Sequence, residues 1–163
     1  LSPQCALFDQ KQARVFSKLN DLILVSGRYE GIDERVIDIT VNAIEISIGN
    51  FVLSGGEIAA SAIIDAVSRL IPGTLGDELS ALQDSFTDDL LDYPHYTRPE
   101  ALENISVPKV LVSGDHNAIN RWRLKQALGR TFERRPDLIE TKELSDDEEN
   151  LLQEYQEEIE NKS

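Results

Sequence analysis

The sequence predicts an α/β domain followed by a smaller, mostly helical domain. Two short apolar runs, at 22–25 and 45–48, each lead into a loop that contains glycine, as buried strands of a parallel sheet do. Helical spacing of apolar residues flanks these runs, and one basic and one acidic helical pattern occupy the C-terminal part. We therefore expect an α/β domain at 1–80, a flexible interdomain linker at 81–104 and a helical domain at 105–163.

The first elements are a helix and two strands. Asp9 is a good N-cap for a helix over 10–19, where apolar residues recur at helical spacing. The continuous apolar run 22–25 predicts a strand that is buried on both faces and ends in a glycine-bounded loop. A second short strand around 45–48 continues into another loop that contains glycine.

The next helix carries the clearest signals. Ser54 followed by Glu57 is a capping box, and Pro72 with Gly73 stops the helix. The apolar face that we expect this helix to bury consists of Ile58, Ala62, Ile63, Ala66, Val67 and Leu70.

Three elements follow the linker. The segment 107–112 predicts a short extended stretch, and a basic helix is expected over 117–128. The last helix begins at Ser145, which forms a capping box with Glu148. Its apolar face contains Leu151, Leu152, Tyr155 and Ile159.

The charge is distributed unevenly. The net charge of −14 argues against nucleic acid, because phosphate binding draws on Lys and Arg. However, the tail 140–163 has ten acidic residues and two lysines, whereas 121–135 has six basic residues and one acidic residue. The total charge therefore does not exclude a local basic surface.

The cysteine content and the length of the apolar runs bear on where in the cell the protein is located. Cys5 is the only cysteine, so an internal disulfide is excluded and a reducing cytoplasm is expected. No apolar run approaches the roughly 18–20 residues that a membrane span needs. The chain contains no methionine, which suggests that it begins within a longer gene product.

Common cofactor motifs are missing. The sequence lacks the G-x-G-x-x-G, P-loop, H-E-x-x-H and C-x-x-C patterns. What remains is the pair of glycine loops at predicted strand ends, where open α/β sheets place ligands. Glycine there permits positive φ and close approach of the backbone to a ligand, although plain turns have the same composition.

Several longer motifs occur in a defined order. The strings LSPQ at 1–4, GRYEGIDERV at 27–36, IGNFVLSGGE at 48–57 and DYPHYTRP at 92–99 closely resemble motifs of bacterial tRNA (guanine-N1)-methyltransferases. The strings RWR at 121–123 and GRTFERRPDL at 129–138 are similar to the C-terminal signature of that family. The resemblance runs from residue 1 to about residue 140.

The resemblance implies a knotted α/β domain of the SPOUT class, in which a trefoil knot holds S-adenosylmethionine in a bent shape. It also implies a cytoplasmic homodimer that acts on tRNA and builds each active site across the subunit interface. Mg²⁺ is left open as an additional cofactor. The residues implied in the cofactor pocket are Pro3, Gly27, Glu30, Ile48, Gly49, Asn50, Phe51, Val52, Leu53, Gly55 and Gly56.

The implied reaction is methyl transfer to N1 of the guanosine immediately 3′ of the anticodon. Neutral guanine N1 carries a proton, so the reaction needs a base. By similarity, Asp84 is that base and Arg69 assists on the substrate side. Two alternatives stay open: Asp84 is one of several solubilising loop acids, and Arg69 is a cation that satisfies the helix dipole.

The basic helix predicts contacts with tRNA phosphates, although a solvated helix face would have the same composition. The residues expected to make these contacts are Arg121, Arg123, Lys125 and Arg130. Trp122 is interpreted as a core residue rather than a base-stacking platform. His95 and Arg98 are expected to order the linker.

The chain departs from the family pattern at a few positions. The family has Gly where Asp89 stands, which puts the ordering of the linker in doubt. Roughly the first third of a family member is expected to be absent. The alternative function is therefore a truncated, non-catalytic fragment that binds tRNA or dimerises. A structural protein that uses its acidic helix at 145–160 is a third possibility.

Overall fold

The chain divides into two compact units. The computed structural model describes residues 1–2, 5–28, 31–75, 84–86 and 88–161. The first unit is Leu1–Ala81 and the second unit is Leu82–Ser163. Each unit has a hydrophobic core of its own. The flexibility of 81–104 stays a prediction.

The described part of the first unit contains the helices α1 (Gln10–Phe16), α2 (Glu34–Ile39) and α3 (Glu57–Ser68). Asp9 caps α1 as predicted, because its Oδ1 accepts a hydrogen bond from the Gln12 amide at 2.8 Å. The helix ends earlier than the predicted 10–19. The backbone amides of Lys18 and Leu19 bond to carbonyls three residues back, which tightens the chain into a turn.

The predicted capping box of α3 does not form. Gly56 is the N-cap residue, and no side chain caps the helix. Because Glu57 is the first helical residue rather than the third, its carboxylate does not reach back to Ser54 as a box requires. It accepts a hydrogen bond from Arg28 Nε instead, at 2.6 Å.

The buried face of α3 differs in part from the prediction. Ile63 and Val67 are buried as predicted, and Ala59 joins them one turn earlier. Ile58 and Ala62, which were expected to be buried, are exposed. The core of the first unit consists of Ala13, Phe16, Ile46, Ile63 and Val67, with Leu1, Phe8, Leu24, Ile48, Ala66 and Leu70 packed around it.

Both predicted strands of the first unit are wrong. The segment 22–25 has no strand geometry, and Ile23 is 86% exposed. The segment 45–48 forms a single parallel bridge, in which Ser47 pairs with Leu7. A strand needs a hydrogen-bonded neighbour along its length, and the described residues supply no such ladder to either segment.

The second unit begins with a small hairpin. Strand β1 (Ala101–Leu102) pairs antiparallel with β2 (Ile105–Ser106). The two residues between them, Glu103 and Asn104, have φ values of +48° and +67°. Two successive positive φ values are typical of the tight turns whose twist matches that of a hairpin.

The segment after the hairpin is helical. A 3₁₀ helix, Lys109–Val112, replaces the predicted extended stretch at 107–112, so this prediction is wrong. Helix α4 (His116–Arg134) follows and is longer than the predicted 117–128. The Asp115 side chain caps it by accepting hydrogen bonds from two backbone amides of the first turn.

Two helices complete the second unit: α5 (Pro136–Thr141) and α6 (Asp146–Glu160). The capping box predicted for α6 is confirmed, because Ser145 and Glu148 each accept a hydrogen bond from the backbone amide of the other. The core of this unit consists of Leu90, Ala127, Leu128, Leu151 and Leu152. Within the described ranges, no helix has the length and apolar character that crossing a membrane requires.

Candidate functional site

The two glycine loops of the first unit lie against each other. A Cβ atom at Gly56 would overlap the side chain of Ser26, so glycine allows this close approach. Arg28 Nε donates to Glu57 Oε1 at 2.6 Å and joins the same two loops through an exposed ion pair. The backbone amide of Glu57 and the bond from Arg28 both lower the pKa of this carboxyl. This pair was not predicted from the sequence, since 29 residues separate its members.

The second glycine loop bends sharply at Gly49. Its φ is +151°, a value that side chains rarely adopt, and a Cβ there would overlap the ring of Phe51. Ser47 Oγ holds the bend by accepting a hydrogen bond from the Gly49 amide at 3.2 Å. Glycine at position 49 is therefore required by the backbone and by the adjacent ring.

The predicted cofactor residues are distributed along this bend. Ile48, Gly49, Leu53, Gly55 and Gly56 are partly buried, and so is Gly27 in the opposite loop. The stretch 50–52 is exposed, with Phe51 54% and Val52 94% accessible. Pro3 and Glu30 lie outside the described residues. The structure thus brings the described candidates into two adjacent loops, one of which presents apolar side chains and backbone to solvent.

The two catalytic candidates belong to different units. Arg69 is the C-cap residue of α3, and its backbone amide bonds to the Asp65 carbonyl at 3.2 Å. Asp84 is partly buried and precedes Ser85, whose Oγ accepts a hydrogen bond from the Asp92 amide at 2.9 Å. Both residues make further interactions within the structure. Their catalytic roles stay predictions.

Asp89 has a left-handed backbone, with φ at +58°. This conformation favours glycine, and aspartate tolerates it better than most side chains do. The family pattern has glycine at this position, and glycine suits the left-handed backbone of residue 89. A bond from the Phe86 amide to the Leu90 carbonyl, at 2.7 Å, closes the turn.

Two of the predicted RNA-binding cations are paired with α6. Both terminal nitrogens of the Arg121 guanidinium donate to Glu154, at 3.1 and 2.5 Å. Lys125 is 9% exposed, and its Nζ donates to Glu158 at 2.5 Å. The bonds to Glu154 raise the pKa of Arg121, and the same contact lowers the pKa of the Glu154 carboxyl.

The other two cations have different surroundings. The Arg123 guanidinium lies over the ring of Tyr93, 4.8 Å from its centroid. Arg130 is partly buried on α4, near Tyr155. Trp122 is partly buried beside the ring of Tyr96, with a centroid distance of 6.3 Å. The contact between Tyr93 and Arg123 was also missed, although Tyr93 belongs to the 92–99 motif.

A family comparison matches most of the chain. The profile of the family described as tRNA (Guanine-1)-methyltransferase TrmD matches residues 1–141. The chain belongs to this family. The matched range includes both glycine loops and helix α4, and it ends before α6 begins.

Curated relatives agree with this assignment. The tRNA (guanine-N(1)-)-methyltransferase of Aeromonas hydrophila is 58% identical over 98% of the chain and 64% of its own length. The enzymes of the same name from Coxiella burnetii and Tolumonas auensis are 57% and 55% identical, over 97% and 98% of the chain. The chain thus spans about 64% of the length of these relatives.

Metal ligands do not cluster in the part of the chain that the structure describes. Among these residues, no group of three or more His, Cys, Asp or Glu side chains could hold a metal ion. The thiol of Cys5 lies 3.6 Å from Glu45 Oε2 and donates to it. Burial and the neighbouring carboxylate both raise the pKa of this thiol.

Proposed function

We propose that this protein transfers a methyl group from S-adenosylmethionine to N1 of the guanosine immediately 3′ of a tRNA anticodon. The observation that carries the proposal is the family match over 1–141, together with 58% identity to the Aeromonas hydrophila enzyme. The proposal includes the SPOUT-type knot, a homodimer that shares its active sites, and a cytoplasmic location. The homodimer brings Asp84 of one subunit to the cofactor pocket of the other.

The residues of the first unit fit S-adenosylmethionine. Gly56 lets the two loops approach each other, and Gly49 turns the chain so that 50–52 faces solvent. The Phe51 ring and the Val52 side chain offer apolar surface to a flat adenine, while backbone groups of the same stretch can read its edge. When bound, S-adenosylmethionine supplies a methyl group on a positively charged sulfur, which makes it open to attack by a nitrogen lone pair.

The chemistry of guanine assigns roles to Asp84 and Arg69. In our proposal the Asp84 carboxylate accepts the N1 proton, so that the nitrogen gains a free lone pair at the moment of transfer. Loss of this proton shifts negative charge onto O6 of the base. The Arg69 guanidinium donates to O6 and stabilises that charge.

The first test changes the proposed base. Asp84→Asn removes the proton acceptor while keeping the shape of the side chain. We expect S-adenosylmethionine binding, measured by calorimetry, to stay unchanged and methyl transfer to tRNA to fall by about 10²–10⁴-fold. Asp88→Asn is the matched control, since Asp88 is an exposed acid in the same stretch, and it should keep full turnover.

Three outcomes would count against the proposal, each in a different way. Unchanged methyl transfer in Asp84→Asn would remove Asp84 from the role of base. Absence of heat on titrating S-adenosylmethionine into the unsubstituted protein would remove the cofactor. Salt-sensitive tRNA binding without methylation would favour a non-catalytic RNA-binding fragment.

A further inference from the structure

The cations of α4 face two different environments. Arg121 and Lys125 lie one turn apart, and both pair with carboxylates of α6. Arg123 lies about 200° around the helix from Arg121, because each residue turns an α-helix by about 100°. It contacts Tyr93 instead of α6. One face of the helix is therefore neutralised, and another carries a cation beside an aromatic ring.

The neutralised face is unsuited to RNA. A surface groove of about 760 Å³ lies there, lined by Arg121 and by three carboxylates, those of Asp147, Glu154 and Glu157. Three negative charges against one positive charge repel a phosphate. Lys125, which is almost buried, is not available to a phosphate on this face.

The other face combines aromatic rings with one cation, Arg123. Arg123 lies over Tyr93, and the Tyr93 ring is 4.8 Å from that of His95. The rings of Tyr96 and Trp122 are adjacent, and Tyr96 is 47% exposed. We call these five residues the aromatic–cation surface. It joins the 92–99 motif to α4.

The Arg123 guanidinium supplies the positive charge of this surface. Among the residues that the structure describes, Arg123 has no ion pair, and its Nε is shielded from solvent without a hydrogen-bond partner. His95 is held by Asp92, with 2.6 Å between Nε2 and Oδ2. A phosphate would therefore supply the counter-charge that Arg123 lacks.

We infer that the aromatic–cation surface binds an unpaired nucleotide of single-stranded RNA. The base stacks on the exposed ring of Tyr96, which Trp122 supports from the side, and the adjacent phosphate pairs with Arg123. Exposed aromatic rings beside an uncompensated cation are the arrangement that recognises unpaired nucleotides, because every base has a face that stacks. The inference rests on the proposed function, in which tRNA is the substrate, and names the residues that hold an unpaired part of it.

The test uses the chain with an RNA hairpin that has an unpaired loop, labelled for fluorescence anisotropy. Trp122 is the only tryptophan and lies beside Tyr96, so its fluorescence reports binding at the Tyr96 ring, and we expect the hairpin to change it. Tyr96→Leu should weaken hairpin binding about tenfold, whereas Tyr96→Phe keeps the ring and should bind as the unsubstituted chain does.

Two arginines on one helix give a matched pair for the phosphate contact. Arg123→Gln should reduce the slope of log affinity against log salt concentration by about one. Arg121→Gln removes the same charge from the neutralised face, so it should leave the slope nearly unchanged.

Equal hairpin affinity in Tyr96→Leu and Tyr96→Phe would overturn the inference. So would equal effects of the two arginine substitutions, or equally tight binding of a duplex RNA without a loop. Each of these results leaves the proposed function intact, since cofactor binding and methyl transfer are measured separately. If methyl transfer were absent while hairpin binding still depended on Tyr96, the proposed function would be overturned and the RNA-binding surface would stand.

Discussion

The first unit leaves many large apolar side chains in solvent, whereas the second unit leaves fewer of its own exposed. Of the 23 exposed large hydrophobic residues among the described ranges, 16 belong to the first unit. Ile23 and Val41 are each 86% exposed, and Val52 is 94% exposed. In the second unit, Leu128 is fully buried, and Leu151 and Leu152 pack against the same core.

The difference follows from the kind of structure that each sequence segment specifies. The second unit is built from helices that are close together in the chain, so their apolar faces pack against each other within one segment. The apolar runs of the first unit have the pattern of sheet strands, and a sheet buries them only when neighbouring strands pair with them. The described residues provide one parallel bridge in place of such a sheet. An apolar run therefore does not ensure its own burial.

The largest expected effect comes from truncating the two cores. Leu128→Ala should destabilise the second unit by about 2–5 kcal/mol, near the upper end, because helices enclose the site and hinder its collapse. Ile63→Ala, at an equally buried position, should cost less because the surroundings of its core are open. Urea unfolding measures both losses of stability. Trp122 fluorescence follows the unfolding of Leu128→Ala, and far-UV circular dichroism follows that of Ile63→Ala. Equal losses of stability in the two variants would show that the core of the second unit is no more tightly enclosed than that of the first.

The next effect concerns the bend at Gly49 in the first unit. Gly49→Val would place a branched side chain at φ +151° and against Phe51, so we expect the affinity for S-adenosylmethionine to fall about 10–100-fold. Gly73→Val introduces the same side chain at φ +79°, but nothing lies within 4 Å of its Cβ. Calorimetry should show normal cofactor binding in this control. An equal loss in both variants would assign the effect to unfolding.

A smaller effect separates two identical capping patterns. Ser145→Ala should lower the stability of the second unit by about 1 kcal/mol, because it removes a side-chain cap that forms. Ser54→Ala should change stability by less than about 0.5 kcal/mol, since Ser54 caps no helix. Thermal unfolding of the two variants measures the difference. A larger loss in Ser54→Ala would mean that α3 is capped by a side chain in solution.

The smallest effect is a pH dependence at the same cap. Partial burial alone would raise the pKa of the Glu148 carboxyl, but hydrogen bonds from Ser145 and the charge of Lys142 outweigh it and lower the pKa. A lowered pKa means that the carboxylate stabilises the fold above its ordinary value of 4.5 and that this contribution is lost as the pH falls below it. Glu148→Gln should therefore be less stable than the unsubstituted chain at neutral pH and equally stable in acid. A difference that persists in acid would assign the effect to packing.

The candidate site was predictable where it depends on motifs and only partly where it depends on contacts. The two glycine loops were found from the sequence, and they do lie together. The pairing of Arg28 with Glu57 was not found, because nothing local to either residue signals a partner 29 residues away. The same limit applies to α4, whose basic pattern does not reveal that Arg121 and Lys125 are neutralised by α6.

The sequence by itself determined the family and the features that act within one helical turn. Asp9 and Ser145 cap their helices because a cap needs only partners two or three residues away. The tertiary structure decided whether the run 22–25 became a strand and which of the arginines on α4 kept an uncompensated charge. These outcomes depend on neighbours that folding brings together from distant parts of the chain, and no short pattern records them.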